Sequence, residues 1–257
     1  MGIHTTKSSA TGEVTIMMDG NAVTSGGSRL YIIGDIHGRA DLLDRIVDEI
    51  YRDIEKQHTD NCITITLGDY IDRGPDSRSV IDRLARNPFP TEYVALMGNH
   101  EALFEKYLNG APIGDYWRNL GGLETLHSYG VPVKGLLRGR GFEEAAAALK
   151  TAIPDEHRQF LSSLRTSVSI GSYFLCHAGI RPEVPLAKQS ADDLIWIRDE
   201  FLNSTKDFGK IIIHGHSPVE WPDIRSNRIN IDTGAFATGR LTCLVLDGDH
   251  GRFMFTA

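Results

Sequence analysis

Five short stretches of this 257-residue chain set a potential metal-binding side chain beside a glycine at the end of an apolar run. They read "GDIHG" (34–38), "GDYIDRG" (68–74), "GNHE" (98–101), "LCHAG" (175–179) and "IIIHGH" (211–216). Taken singly, a Gly-Asp pair after a strand is an ordinary turn, and a histidine closing an apolar run is commonly a hydrogen-bonded core residue. Together the stretches supply two Asp, an Asn and several His, the mixed oxygen and nitrogen donors that suit a pair of divalent first-row metals. One bridging carboxylate with ligands on both sides is what a two-metal hydrolytic centre requires, its ions about 3.5 to 4 Å apart.

Positioning five such groups requires strands that end on one edge. "RLYIIG" (29–34), "CITITLG" (62–68) and "EYVALMG" (92–98) read as strands. Between the first two, Leu42, Leu43, Ile46, Val47, Ile50 and Ile54 recur at helical spacing. "DSRSVIDRLAR" reads as a helix that Asp76 or Ser77 caps, and "HEALFEKYL" as a third helix. This β-α-β-α-β order predicts parallel strands joined by crossover helices, an α/β fold. Ligands of such sheets gather outside the carboxyl ends of the strands, where glycine lets the chain turn sharply. Residues 110–165 read as loop and helices, including "GFEEAAAALK" and "DEHRQFLSSL". Strands resume at "SYFLC", "KIIIHG", "RINID" and "LTCLVLD", close enough to predict hairpins and a more antiparallel second half.

Composition narrows the function classes. With 41% hydrophobic and 24% charged residues, the chain can bury one substantial core. We expect a flexible arm over 1–28 and one catalytic domain over 29–257. The 27 Lys plus Arg against 34 Asp plus Glu leave a formal charge of -7, which argues against a nucleic-acid partner. No apolar run reaches the roughly 20 residues of a membrane span, and the N-terminal stretch does not read as a secretory signal. Cys62, Cys176 and Cys243 lack C-x-x-C spacing and read as buried reduced thiols, which suits a cytoplasmic protein.

"GDIHG", "GDYIDRG", "GNHE", "HAG" and "GHS" together resemble the five motifs of the phosphoprotein phosphatase family of calcineurin-like metallophosphoesterases, over residues 29 to about 246. "IDTGA" (231–235) is similar to the bacterial and phage branch, with lambda phage phosphatase and the symmetrical diadenosine tetraphosphate hydrolases. The resemblance implies an α/β sandwich of two mixed sheets flanked by helices. It also implies two divalent metal ions, manganese first, with iron, zinc, nickel or cobalt as alternatives. Asp35 and His37 would hold the first, Asp69 would bridge, and Asn99, His177 and His216 would hold the second. Arg73 and, from "LIWIRDEF" (194–201), Arg198 would bind phosphoryl oxygens, a task that favours the planar guanidinium. A hydroxide held between the metals would attack phosphorus. His100 would protonate the departing group while Asp72 holds its ring.

The last tip admits two registers. In the wider superfamily the closing motif is G-H-x-H, and if His214 came first His216 would be its second histidine, but Ile213 would then stand where glycine belongs. If His216 comes first it follows Gly215 correctly, and Pro218 fills the second slot, where it cannot coordinate. Phosphoprotein phosphatases keep only the first histidine, so the resemblance selects His216 and leaves His214 to packing or to orienting a ligand.

The expected activity is hydrolysis of phosphomonoesters on Ser, Thr or Tyr side chains of proteins. A dinucleoside polyphosphate hydrolase is the alternative, and a metal-binding module without turnover the third class. Arg138 and Arg140 suggest either a basic lid or a solvated glycine-rich loop. "DYWRN" (115–119) and Trp221 suggest either a substrate groove or structural aromatics. Arg181 and Arg240 lie near predicted tips without an assigned role.

Overall fold

Parallel strands do form from the three early β-branched runs in the computed structural model, which describes residues 3–7, 14–18, 27–57 and 61–256. In chain order the strands of the first half are β1 (Ile3–Lys7), β2 (Val14–Met18), β3 (Arg29–Ile33), β4 (Cys62–Thr66) and β5 (Glu92–Ala95). Those of the second half are β6 (Ser167–Ile170), β7 (Tyr173–Cys176), β8 (Ile211–His214), β9 (Asp223–Ile224), β10 (Arg228–Asn230), β11 (Thr242–Asp247) and β12 (His250–Phe255). One sheet runs β1-β2-β12-β11-β3-β4-β5 and the other β6-β7-β8-β10-β9. Within the first, β3, β4 and β5 are parallel, and β11 lies antiparallel to β3.

Helices α1 (Ala40–Gln57), α2 (Ser77–Ala85) and α3 (Asn99–Leu108) follow the first three tips. Asp76 caps α2 by accepting the Ser79 N–H at 3.0 Å. The middle of the chain carries α4 (Gly114–Trp117), α5 (Leu123–Ser128), α6 (Phe142–Ala152) and α7 (Asp155–Ser162), and the later crossovers carry α8 (Ala191–Trp196) and α9 (Asp199–Leu202).

Strand periodicity sorts the core into layers. Along β3, Leu30 and Ile32 pack between the sheets with Leu175, Ile213 and Ile229, while Tyr31 and Ile33 face helical residues such as Leu43, Ile46 and Val80. On the far side of the second sheet, Phe174 and Ile212 pack on Leu194, Ile195 and Phe201. The fold is therefore α/β, two mixed sheets face to face with helices on the outer surfaces.

Three expectations need revision. The expected hairpins form at β6–β7, β9–β10 and β11–β12, but β7, β8 and β10 run parallel to one another: the helical crossover through α8 and α9 joins β7 to β8, and the connection that contains β9 joins β8 to β10. The third strand is shorter than expected: β5 stops at Ala95, and Leu96 makes a single bridge to Arg165. Within the N-terminal segment expected to be an arm, β2 pairs with β12 and buries Ile16 against Leu246 and its neighbours. The apolar "VTIMM" gives that strand a core face. Residues 1–2, 8–13 and 19–26 of the expected arm lie outside the described residues. No described helix is long and apolar enough to cross a membrane.

Candidate metallophosphoesterase site

The five tips converge where the two sheets meet. Asp69, at the end of β4, is the hub: its Oδ2 lies 3.5 Å from His37 Nε2, and its Oδ1 lies 3.4 Å from His177 Nε2. Asn99 Oδ1 stands 3.0 Å from His177 Nε2 and 2.9 Å from His216 Nδ1. Asp35 accepts the His216 N–H at 3.1 Å on one carboxylate oxygen, while the other is buried with no hydrogen-bond partner.

Backbone carbonyls set the tautomers. His37 Nδ1 donates to Ile71 O at 2.8 Å and His177 Nδ1 to Leu67 O at 3.1 Å, which turns each Nε2 toward Asp69. Two overlapping groups, His37–Asp69–His100 and Asp69–His177–His216, bring their ligand atoms within 4.8 Å of one another. Buried imidazole lone pairs, an orphaned carboxylate oxygen and one shared Asp fit divalent cations in nature and arrangement.

The electrostatics favour positive charge here. Burial acts to raise the Asp69 pKa, but the His177, His100 and His37 rings outweigh it and hold the carboxylate well below its usual range. Asp35 goes the other way: burial, with Asp232 and Asp69 nearby, raises it well above. Burial also opposes charge on His177, yet the Asp69 and Asp35 carboxylates push it up to about 9. A field that retains a proton on a fully buried imidazole equally favours a metal cation in its place. Burial lowers His37 to about 3, and burial plus the adjacent His177 lowers His216 to about 2, so both offer lone pairs at neutral pH.

Strain concentrates at the same place. Among described residues, six non-glycine residues have positive φ, and five belong to these tips: His37, Asp69, Asp72, Arg73 and His216. Each such conformation costs of order 1 kcal/mol or more and persists only where the surroundings enforce it. Among the flanking glycines, Gly38, Gly68 and Gly179 turn the chain at positive φ, whereas Gly98 and Gly215 serve a different purpose. Gly98 and Gly215 keep ordinary φ; a Cβ on Gly98 would overlap the Asp69 carboxylate, and one on Gly215 the Asp35 carboxylate. They provide room, while His216 and Asp69 themselves make the left-handed turns.

Beside this centre, His100 Nδ1 meets Asp72 Oδ2 at 2.6 Å, and Arg73 Nη2 lies 3.3 Å from His100 Nε2. Burial disfavours the His100 cation, but Asp69 and Asp72 together raise its pKa above the usual imidazole value. The half-buried Arg73 guanidinium lies 4.8 Å from the centre of the Phe236 ring, which also edges His37. Arg198, exposed at the start of α9, contributes a positive charge felt by His216. His214 is separate: fully buried on β8, it packs on Phe201 at 5.0 Å and bonds Gly215 O through Nδ1 at 3.1 Å.

Several contributors lack a motif role in the sequence reading. The Glu101 carboxylate, inside "GNHE", accepts the backbone N–H groups of Gly98, Asp69 and Tyr70 at 2.8–3.0 Å and so ties two tips together. Buried Asp232, in "IDTGA", lies near Asp35 and is raised to about 6, chiefly by burial. Trp117 of "DYWRN" is buried and donates to Asp72, whereas Trp221 is exposed under the Arg240 guanidinium. Arg138 and Arg140 are exposed, and Arg181 pairs with Asp193 and Glu200. All three cysteines are buried reduced thiols.

A centre of this composition on a sandwich of mixed sheets defines a metallophosphoesterase. The chain belongs to the calcineurin-like phosphoesterase family, whose profile matches residues 28–241, and it is a phosphoester hydrolase. Serine/threonine-protein phosphatase 2 of Salmonella typhimurium is 27% identical over 223 residues, 83% of this chain and 90% of that protein. Bis(5'-nucleosyl)-tetraphosphatase PrpE (asymmetrical) of Anoxybacillus flavithermus is 26% identical over 232 residues, 83% of this chain and 88% of that protein. Among solved structures, a candidate diadenosine tetraphosphatase aligns with a TM-score of 0.60 at 20% identity, covering 92% of this chain and 98% of its own. A cold-active protein tyrosine phosphatase aligns at 0.55 and 15% identity, covering 96% and 92%. These two likenesses establish the shared fold.

Proposed function

We propose that the protein is a dinuclear metal-dependent phosphatase acting on phosphomonoesters of Ser, Thr or Tyr side chains. In this reading Asp35, His37 and Asp69 hold one divalent ion, and Asp69, Asn99, His177 and His216 hold the second, with manganese the first choice. When bound, such ions supply Lewis-acid activation of water and of the phosphoryl group. The chain's own residues do the rest. Arg73 and Arg198 bind the non-bridging phosphoryl oxygens and orient the ester. His100 delivers a proton from Nε2 to the departing oxygen, its ring aligned by the bond from Nδ1 to Asp72. The 2.6 Å contact between His100 Nδ1 and Asp72 Oδ2, which leaves Nε2 facing Asp69 and the centre, carries this reading.

A dinucleoside polyphosphate hydrolase is the second reading. What favours it is that relatives named for each activity match almost equally well, at 27% and 26% identity. Turnover of phosphopeptides and of diadenosine tetraphosphate, measured side by side with manganese-loaded protein, separates the two. The first reading expects the larger kcat/KM on phosphopeptides. Preference for the dinucleotide overturns it, and failure on both, with each of several metals, points to a metal-binding module without turnover.

A further inference from the structure

The middle of the chain, which carries none of the five motifs, reaches into the site from behind. Trp117 ends α4, the chain kinks at Gly121, and it then enters α5, which carries the buried Thr125. Trp117 Nε1 donates to Asp72 Oδ2 at 2.7 Å, and Thr125 Oγ1 donates to Asp72 Oδ1 at 2.5 Å. An indole nitrogen is only ever a donor, so the direction of the first bond is unambiguous. The Asp72 backbone N–H points to the Thr125 hydroxyl at 2.9 Å and the Ser77 hydroxyl at 3.0 Å. Between the two side chains, Gly121 accepts the Arg73 N–H at 3.2 Å. Its φ is 100°, and a Cβ there would run into the Arg73 backbone and Cγ.

These contacts fall on a specific atom. Asp72 Oδ2, which Trp117 holds, is the same oxygen that His100 Nδ1 meets at 2.6 Å. Asp72 is fully buried, and a carboxylate in that setting keeps its orientation only through the donors around it. Asp72 and Arg73 are also consecutive residues at φ 69° and 68°, a conformation that neighbouring contacts must impose. Trp117 is itself packed against the rings of Tyr107 and Phe104, 4.8 and 5.8 Å away, so its N–H is aimed by the core.

We propose that the segment from Trp117 to Thr125 is the positioning element for the leaving-group side of the site, with Trp117 and Thr125 orienting His100 through Asp72 and Gly121 placing Arg73. The inference rests on the reading of His100 as proton donor to the departing oxygen. It adds two side chains and one glycine that act through Asp72 and Arg73.

The test compares manganese-loaded wild type, Trp117→Phe, Thr125→Val, Gly121→Ala and His100→Asn on p-nitrophenyl phosphate and on a phosphoserine peptide. Nitrophenolate leaves without much help, whereas the serine alkoxide needs a proton. Trp117→Phe and Thr125→Val each remove one charge-assisted bond to Asp72, so kcat on the phosphoserine peptide should fall about tenfold or more, with KM nearly unchanged and less than about threefold loss on p-nitrophenyl phosphate. Gly121→Ala should raise KM on both esters. Should Trp117→Phe fail to fold, judged by circular dichroism and bound metal, the smaller Thr125→Val change carries the same comparison. If His100→Asn is selective for the alkyl ester while Trp117→Phe and Thr125→Val slow both esters alike, or neither, the positioning role is overturned and the acid role stands. If His100→Asn itself slows both esters equally, the acid role falls and this inference falls with it.

Discussion

Replacing His214 by phenylalanine should make the protein more resistant to acid. The His214 ring is fully buried, packed against Phe201, with Nε2 lacking a hydrogen-bond partner. Burial first, and the nearby Arg228 charge second, lower its pKa from 6.5 to about 3. Between those values the unfolded chain binds a proton that the folded chain refuses, so the unfolded state gains as pH falls. Two pH units below 6.5, at about 1.4 kcal/mol each, give about 3 kcal/mol of lost stability near pH 4.5, rising toward about 5 kcal/mol at the folded-state pKa. Phenylalanine cannot take up the proton in either state. It is somewhat larger than imidazole and forgoes the bond to Gly215 O, an offset of about 1 to 3 kcal/mol that does not vary with pH. The pH-dependent difference is therefore the readout. Urea denaturation of chelator-treated wild type and variant at pH 8, 6 and 4.5 measures it. His37 and His216 contribute acid sensitivity of the same sign to both proteins and cancel in the comparison. Parallel stability curves for the two proteins would refute the argument.

Two further outcomes follow from the same geometry. His216→Ala, which removes the ring whose Nδ1 faces Asn99 and His177, should reduce bound metal from two ions to about one by elemental analysis of the purified protein; an unchanged count would reject His216 as a ligand. Glu101→Gln preserves volume but turns an amide N–H2 toward backbone N–H donors now shared between Gly98, Asp69 and Tyr70. It should cost about 2 to 4 kcal/mol in denaturant unfolding of the metal-loaded protein, and a cost below about 0.5 kcal/mol would show that the carboxylate does not tie the tips together.

Much of the centre was legible because its information is local. A β-branched run, a glycine and a polar residue define a strand tip within about six residues, and the same pattern repeats through Asp35, Asp69, Asn99, His177 and His216. Gly215 and Pro218 distinguish the two registers in the sequence, and the fold sets His216, not His214, against Asn99 and His177. The role of Gly98 and Gly215 was not legible, since only the approach of Asp69 to Gly98 and of Asp35 to Gly215 shows that these two make space while Asp69 and His216 carry the left-handed backbone.

Other features depend on residues far apart in the chain. The parallel pairing of β7 with β8 follows from how α8 and α9 pack on that sheet, not from the length of the intervening sequence. Trp117 looked like an ordinary aromatic until the fold brought its indole to Asp72, 45 positions earlier. Glu101 read as the last letter of a motif, yet its partners at Asp69 and Tyr70 lie on a different strand tip. Local pattern thus determined which side chains could do the chemistry and on which strand ends they sit. Tertiary packing alone decided which buried donors hold them in place, because a hydrogen bond across 30 to 50 residues leaves no periodicity in the sequence.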